Sequence, residues 1–173
     1  MKKFLIAAMT ICMCLVFFGC GNNDGSSTNS TNEKYYFKDN VAVLEDVKIE
    51  ITDYKVIPVG ENGNEYGEKP VIAFWYEVTN TSDGSIDIDP IDAWLAVFPA
   101  AIQDNDPDAV NELEIASLPD ERFIDSQTEK IKVGGTVENA WAYYLDDGTT
   151  PVKLTAVKGS DKTELGTMTY DIK

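Results

Sequence analysis

The chain contains no histidine. That absence removes Ser-His-Asp and Cys-His catalysis and every site that needs an imidazole. Its three cysteines, Cys12, Cys14 and Cys20, all fall within the first twenty residues. The remainder therefore has no thiol nucleophile, no disulfide and no side chain of the kinds that hold structural zinc. Basic residues are scarce, with 14 Lys and Arg against 30 Asp and Glu and a net charge of −16. A phosphate backbone needs a basic footprint, so nucleic acid is excluded as a partner. Neither a G-x-S-x-G elbow nor a G-x-x-x-x-G-K-[ST] or G-x-G-x-x-G loop occurs. With 30 carboxylates, pairs of acids at glycosidase separation carry no information. These gaps point away from an enzyme.

What is present begins with "MKKFLIAAMTICMCLVFFGC". Lys2 and Lys3 precede an apolar run, Phe4 to Phe18, interrupted only by Thr10. The run is shorter than the ~20 residues of a spanning helix and has the form of a secretory signal peptide. Its end, "FFGC" at 17–20, resembles the lipobox of bacterial lipoproteins, in which the cysteine takes fatty chains and becomes the new N-terminus. The resemblance implies lipidation at Cys20; the alternative is a plain signal peptide with an incidental cysteine. Loss of Lys2 and Lys3 with residues 1–19 takes the net charge from −16 to −18. Next, "GNNDGSSTNSTN" at 21–32 holds no apolar residue and behaves as a flexible tether with a reach on the order of 20 Å. The expected organisation is a leader at 1–19, a lipidated cysteine and tether at 20–34, and one domain at 35–173. The expected location follows: exported, held by lipid on the outer face of the cytoplasmic membrane, with the domain outside the cell.

The domain alternates with period two. Val47, Ile49 and Ile51 share one strand face and Lys48, Glu50 and Thr52 the other, with a slip at Thr52–Tyr54 that predicts a bulge. In "VIAFWYEV", Ile72, Phe74, Tyr76 and Val78 fall on a core face, and Ala73, Trp75 and Glu77 on the opposite one. "GENGNEYGEK" (60–69) reads as a polar connection. "IDAWLAVFPA" (91–100) reads as a further strand, while 109–118 suits a short helix or a strand. The C-terminal third reads as a meander, with hairpin turns at Asp146–Thr150 and Gly159–Lys162. On its strand at 137–145, Val137, Trp141, Tyr143 and Leu145 make one face, Ala140, Ala142 and Tyr144 the other. Short strands without a strong long helix predict an all-β fold, an antiparallel β-sandwich.

"KPVIAFWYEVTNTSD" (69–83), Gln103–Asp104 and "IKVGGTVENAWAYYLDDGTTPVKL" (131–154) together resemble a family of Gram-positive lipoproteins of unknown function. The resemblance implies an immunoglobulin-like β-sandwich, similar to that of a secreted mycobacterial antigen, with no established activity and no catalytic residue to transfer.

Two sets of candidate site residues remain. If their strands pair, Trp75 and Tyr144 form an outward aromatic patch suited to sugar faces or a protein partner; the bland alternative is a cross-strand pair under a loop. The acidic loops carry Asp83, Asp87, Asp89 and Asp92, then Asp104, Asp106 and Asp108, whose close spacing suits calcium. No EF-hand is present, because Ala109 and Ile115 stand where the loop needs Gly and a bidentate Glu. The functional expectation is a cell-surface lipoprotein whose domain binds an extracellular protein; the alternative is a module for cell-wall carbohydrate or calcium.

Overall fold

The structure, a computed structural model, describes residues 34–173. The leader, Cys20 and residues 21–33 lie outside the described residues. The elements run β1 (Tyr36–Lys38), β2 (Val41–Val43), β3 (Val47–Ile57), β4 (Val71–Asn80), α1 (Pro90–Val97), β5 (Ala101–Gln103), two 3-10 turns (Glu121–Phe123 and Ser126–Thr128), β6 (Thr136–Tyr144), β7 (Val152–Lys158) and β8 (Thr163–Tyr170). They form two antiparallel sheets, one ordered β1-β2-β3-β4-β6 and the other β5-β7-β8. The two sheets form an antiparallel β-sandwich, as the strand pattern predicts.

The face assignments hold where period two is clean. Ile49, Ile51, Ile72, Phe74, Tyr76 and Val78 are all buried in the main core. The slip in β3 is a bulge, with register shifting between Ile51 and Asp53 against β4. The Gly159–Lys162 turn joins β7 to β8 as expected.

Two expectations are corrected. Residues 91–100 are not a strand: α1 occupies Pro90–Val97. Asp89 accepts a hydrogen bond from the Asp92 N–H at 2.9 Å and Pro90 opens the first turn, where its missing N–H costs nothing. The buried residues Pro90, Ala93, Trp94 and Val97 follow helical spacing, so the run is amphipathic with period 3.6. The helix delivers Trp94 into the centre of the core. Its ring packs on Phe74, Tyr76 and Phe98 with centroid separations of 5.8, 4.5 and 4.8 Å, and its Nε1 donates to Tyr143 Oη at 2.9 Å. Burial pushes the Tyr143 phenol up to about 12, which keeps it protonated at neutral pH.

Nor is the C-terminal third a simple meander. β6 belongs to the larger sheet and β7 to the smaller, so Asp146–Thr150 crosses between sheets instead of closing a hairpin. The turn chemistry there is real: Asp147 Oδ1 accepts from the Thr149 and Thr150 N–H groups, both at 2.7 Å. The direction of the chain is set by Gln103, fully buried on β5. Its Oε1 accepts from Asp146 N at 2.7 Å and Asp147 N at 3.3 Å, and its Nε2 donates to the Asp147 and Thr150 carbonyls at 3.2 and 2.8 Å.

The ambiguous stretch at 109–118 is an extended connector that serves both sheets. Asn111 and Leu113 exchange backbone bonds with β5, and Glu114 and Ala116 do so with β6. At the opposite flank, β1 pairs with β2 and lies against β8, where Gly166 approaches so closely that a Cβ would overlap the Phe37 carbonyl.

Candidate functional site

The outer face of the larger sheet carries a second, smaller cluster of Ile57, Val71, Ala73 and Ala142, with Trp75, Ala116 and Tyr144 packed against it. Above it lies a cleft of about 830 Å³. One wall is the Glu61–Gly67 loop, the other the 116–122 segment. Asn64 braces the loop, donating through Nδ2 to the Ile57 and Lys69 carbonyls at 3.1 and 2.9 Å. Gly63, at φ +91°, meets the far wall so tightly that a Cβ would collide with the Pro119 carbonyl.

The structure brings Trp75 and Tyr144 into this same cleft. β4 and β6 pair, with Trp75 opposite Ala140 and Tyr144 opposite Val71. The two aromatics therefore sit four positions apart along the sheet, roughly 13 Å at strand rise, with the Ala73–Ala142 pair between them. Both are half-buried. Trp75 is also held at its polar edge, where Nε1 donates to Asp120 Oδ2 at 2.9 Å. Asp120 is in turn gripped by Arg122, the chain's single arginine, with Nη2 2.6 Å from Oδ2 and Nε 3.0 Å from Oδ1. The Arg122 hydrogen bonds outweigh burial and, with Trp75, hold the Asp120 carboxyl down to about 2. Asp120 thus stays ionised and Trp75 stays oriented across any ordinary pH.

Tyr66 stands on the loop wall, 99% exposed. Asp53, Lys55, Glu61, Glu65 and Glu121 also line the cleft without an ion pair among the described residues. The site offers ring faces, carboxylates and amides, the equipment of recognition. The sequence pattern pointed to Trp75 and Tyr144. It missed Tyr66, whose signal was an aromatic inside an otherwise polar, glycine-rich loop, and it missed Asp120, which bonds Trp75 from 45 residues away, together with Arg122, which holds Asp120.

The calcium candidates are not brought together. Asp83 accepts from Ser85 N at 2.9 Å and Asp87 is exposed. Asp89 caps α1 and pairs with Lys130 at 2.8 Å; burial pushes its carboxyl up, but the bonds from Lys130 and the Asp92 N–H outweigh this and leave it lowered. Asp104 pairs with Lys153 at 2.8 Å, Asp106 accepts from the Asp108 and Ala109 N–H groups, and Asp108 is exposed. Among the described residues, no three His, Cys, Asp or Glu side chains converge as a metal site.

Several residues of the stretches that carried the family resemblance are scaffold. Besides Gln103, Asn80 donates to the Ile131 carbonyl at 2.7 Å and accepts from Ser82 N and Oγ at 3.0 and 2.7 Å. Its backbone N–H donates to Gly135 O, and its carbonyl accepts from Gly134 N. The Thr-Asn of one motif and the Gly-Gly-Thr of another thus clamp each other.

The chain belongs to the family described as "Domain of unknown function (DUF5067)", which matches residues 22–158. It is similar to the solved structure of a "putative lipoprotein from Staphylococcus aureus subsp. aureus NCTC 8325", with a TM-score of 0.65, 21% identity, and coverage of 80% of this chain and 92% of that one. At that identity the likeness speaks for the fold alone. A comparison with curated proteins gives no match.

Proposed function

We propose that this is a lipid-anchored extracellular protein whose domain binds a partner through the Trp75 cleft and performs no chemistry there. The observation that carries the reading is Trp75 itself. It is a half-exposed indole, fixed at Nε1 by an ionised Asp120, in a cleft walled by two separate segments. A rigid aromatic gives large contact area for little lost entropy, which is why such residues dominate binding energy. The anchoring part rests on the leader and on Cys20. More than one fatty chain on Cys20 anchors stably, since each buried methylene contributes about 0.8 kcal/mol.

A second reading, cell-wall carbohydrate as the ligand, is favoured by the company Trp75 keeps. Ring faces at Trp75 and Tyr144, in a cleft also lined by carboxylates without an ion pair among the described residues, suit the apolar faces and hydroxyls of sugar rings. A calcium role for the acidic loops has no converging carboxylates behind it among the described residues.

Capture of partners from intact cells, run beside a glycan array, separates protein from sugar. In whichever arm binds, Trp75→Ala is expected to weaken affinity roughly 30-fold, a loss of about 2 kcal/mol typical of a hot spot. Trp75→Phe, which keeps most of the packing, should lose less. Unchanged affinity in Trp75→Ala would remove the cleft from the account. Separately, Cys20→Ala is expected to move the protein from the membrane fraction to the soluble one; equal membrane retention would refute the anchor.

A further inference from the structure

A second depression, sharing no residue with the Trp75 cleft, lies between the turn after β2, the loop after β4 and the start of α1. Its volume is about 370 Å³. The floor is apolar, made by Leu44, Val47, Ile88, Ala93 and Ala96. Ile86 forms part of its lip and is 48% exposed. Around the same hollow stand Glu45, Asp46, Asp87 and Asp92. None of these four makes an ion pair among the described residues, in contrast to Asp89, Asp104, Asp120 and Asp146, each of which has its own cation. Among the described residues, the one cation lining the groove is Lys158, whose Nζ lies 3.8 Å from the centroid of the Tyr35 ring.

We infer that this groove docks a protein segment presenting aliphatic side chains flanked by lysine or arginine. The apolar floor takes the aliphatic groups, and four unpaired carboxylates at its rim supply complementary charge for the flanking cations. The same carboxylates repel anionic lipid and acidic peptides. A sugar finds few polar partners on this floor, unlike in the Trp75 cleft. The two sites therefore recognise different chemistry, and the groove does not depend on the reading of the cleft.

The test uses two acetylated, amidated octapeptides, GKKLLKKG and GEELLEEG, titrated into the tether-plus-domain protein (residues 21–173) with methyl NMR as readout. The lysine peptide is expected to shift the methyls of Val47, Ile86 and Ile88, and the glutamate peptide to leave them in place. Asp87→Asn combined with Asp92→Asn, both at exposed positions, should weaken the lysine peptide ten-fold or more, as should Ile86→Ser, while Trp75→Ala leaves it unchanged. Four results would overturn the inference: no groove shift at millimolar peptide, shifts scattered over the acidic surface without the groove methyls, equal binding of both peptides, or wild-type affinity in the Asp87/Asp92 variant. Movement of the same methyls on raising protein concentration, or on adding phosphatidylglycerol vesicles, would assign the groove to a second copy or to lipid and overturn it as well.

Discussion

Trp94→Ala will remove about 3–5 kcal/mol of stability, the range for truncating a fully buried tryptophan. For a domain of this size that corresponds to a fall in melting temperature on the order of 10–15 °C. The side chain is 0% exposed and touches Phe74, Tyr76 and Phe98 at once, so its loss opens a cavity where both sheets and the helix meet. It also withdraws the Nε1 donor from Tyr143 Oη. Trp94→Phe keeps part of the volume and should cost about half as much. Urea denaturation of the two variants checks this, with the midpoint falling and the slope unchanged. A loss under 1 kcal/mol in Trp94→Ala would mean that α1 does not plug the core.

The second large effect is expected at Gln103. Gln103→Leu preserves size and removes every polar contact. The Asp146 and Asp147 N–H groups lose their acceptor, and the Asp147 and Thr150 carbonyls lose their donor. A buried group left unpaired costs about 1–3 kcal/mol, but the turn is partly exposed and water will satisfy some of these groups. The expected net loss is about 3 kcal/mol. Hydrogen exchange offers a sharper check than melting: protection at Asp146 and Asp147 should collapse while that of β4 falls only with global stability. Asn105→Ala, which breaks an exposed contact to Asp147 in the same neighbourhood, should cost under about 1 kcal/mol. A Gln103→Leu variant as stable as wild type would show that turn chemistry alone directs the crossover.

These two residues also mark where the sequence was readable. The strand faces were legible because each is decided by neighbours two positions away: Phe74 and Tyr76 inward, Trp75 outward. The bulge near Thr52 was legible for the same reason, as a break in a local rhythm. The helix was legible in principle. Asp89-Pro90 followed by apolar residues at 93, 94 and 97 is a capped start with period 3.6, but eight residues of mostly apolar chain also fit a buried strand. The crossover at Asp146–Thr150 was not legible. Its direction depends on Gln103, more than forty residues earlier, and a turn of that composition closes hairpins equally well. The cleft was half legible. Trp75 and Tyr144 announce themselves by face, whereas the Asp120–Arg122 grip on the indole is a long-range contact with no local trace. The recognisable motifs, at Asn80, Gln103 and Gly134–Gly135, hold the frame together and say nothing about the ligand.

The connector at Asn111–Ala116 has a bearing on behaviour in a crowd. A two-sheet sandwich ordinarily has four outer strands whose backbone groups invite a neighbour's chain to zip on. Here the connector occupies β5 and part of β6, Asn139 Oδ1 takes the Ala140 N–H further along β6, and β1 and β8 lie against each other. The covalent chain thus covers part of its own strand edges and blunts strand-to-strand association there. At those covered stretches a partner meets side chains on faces and loops, where specificity can be tuned one residue at a time.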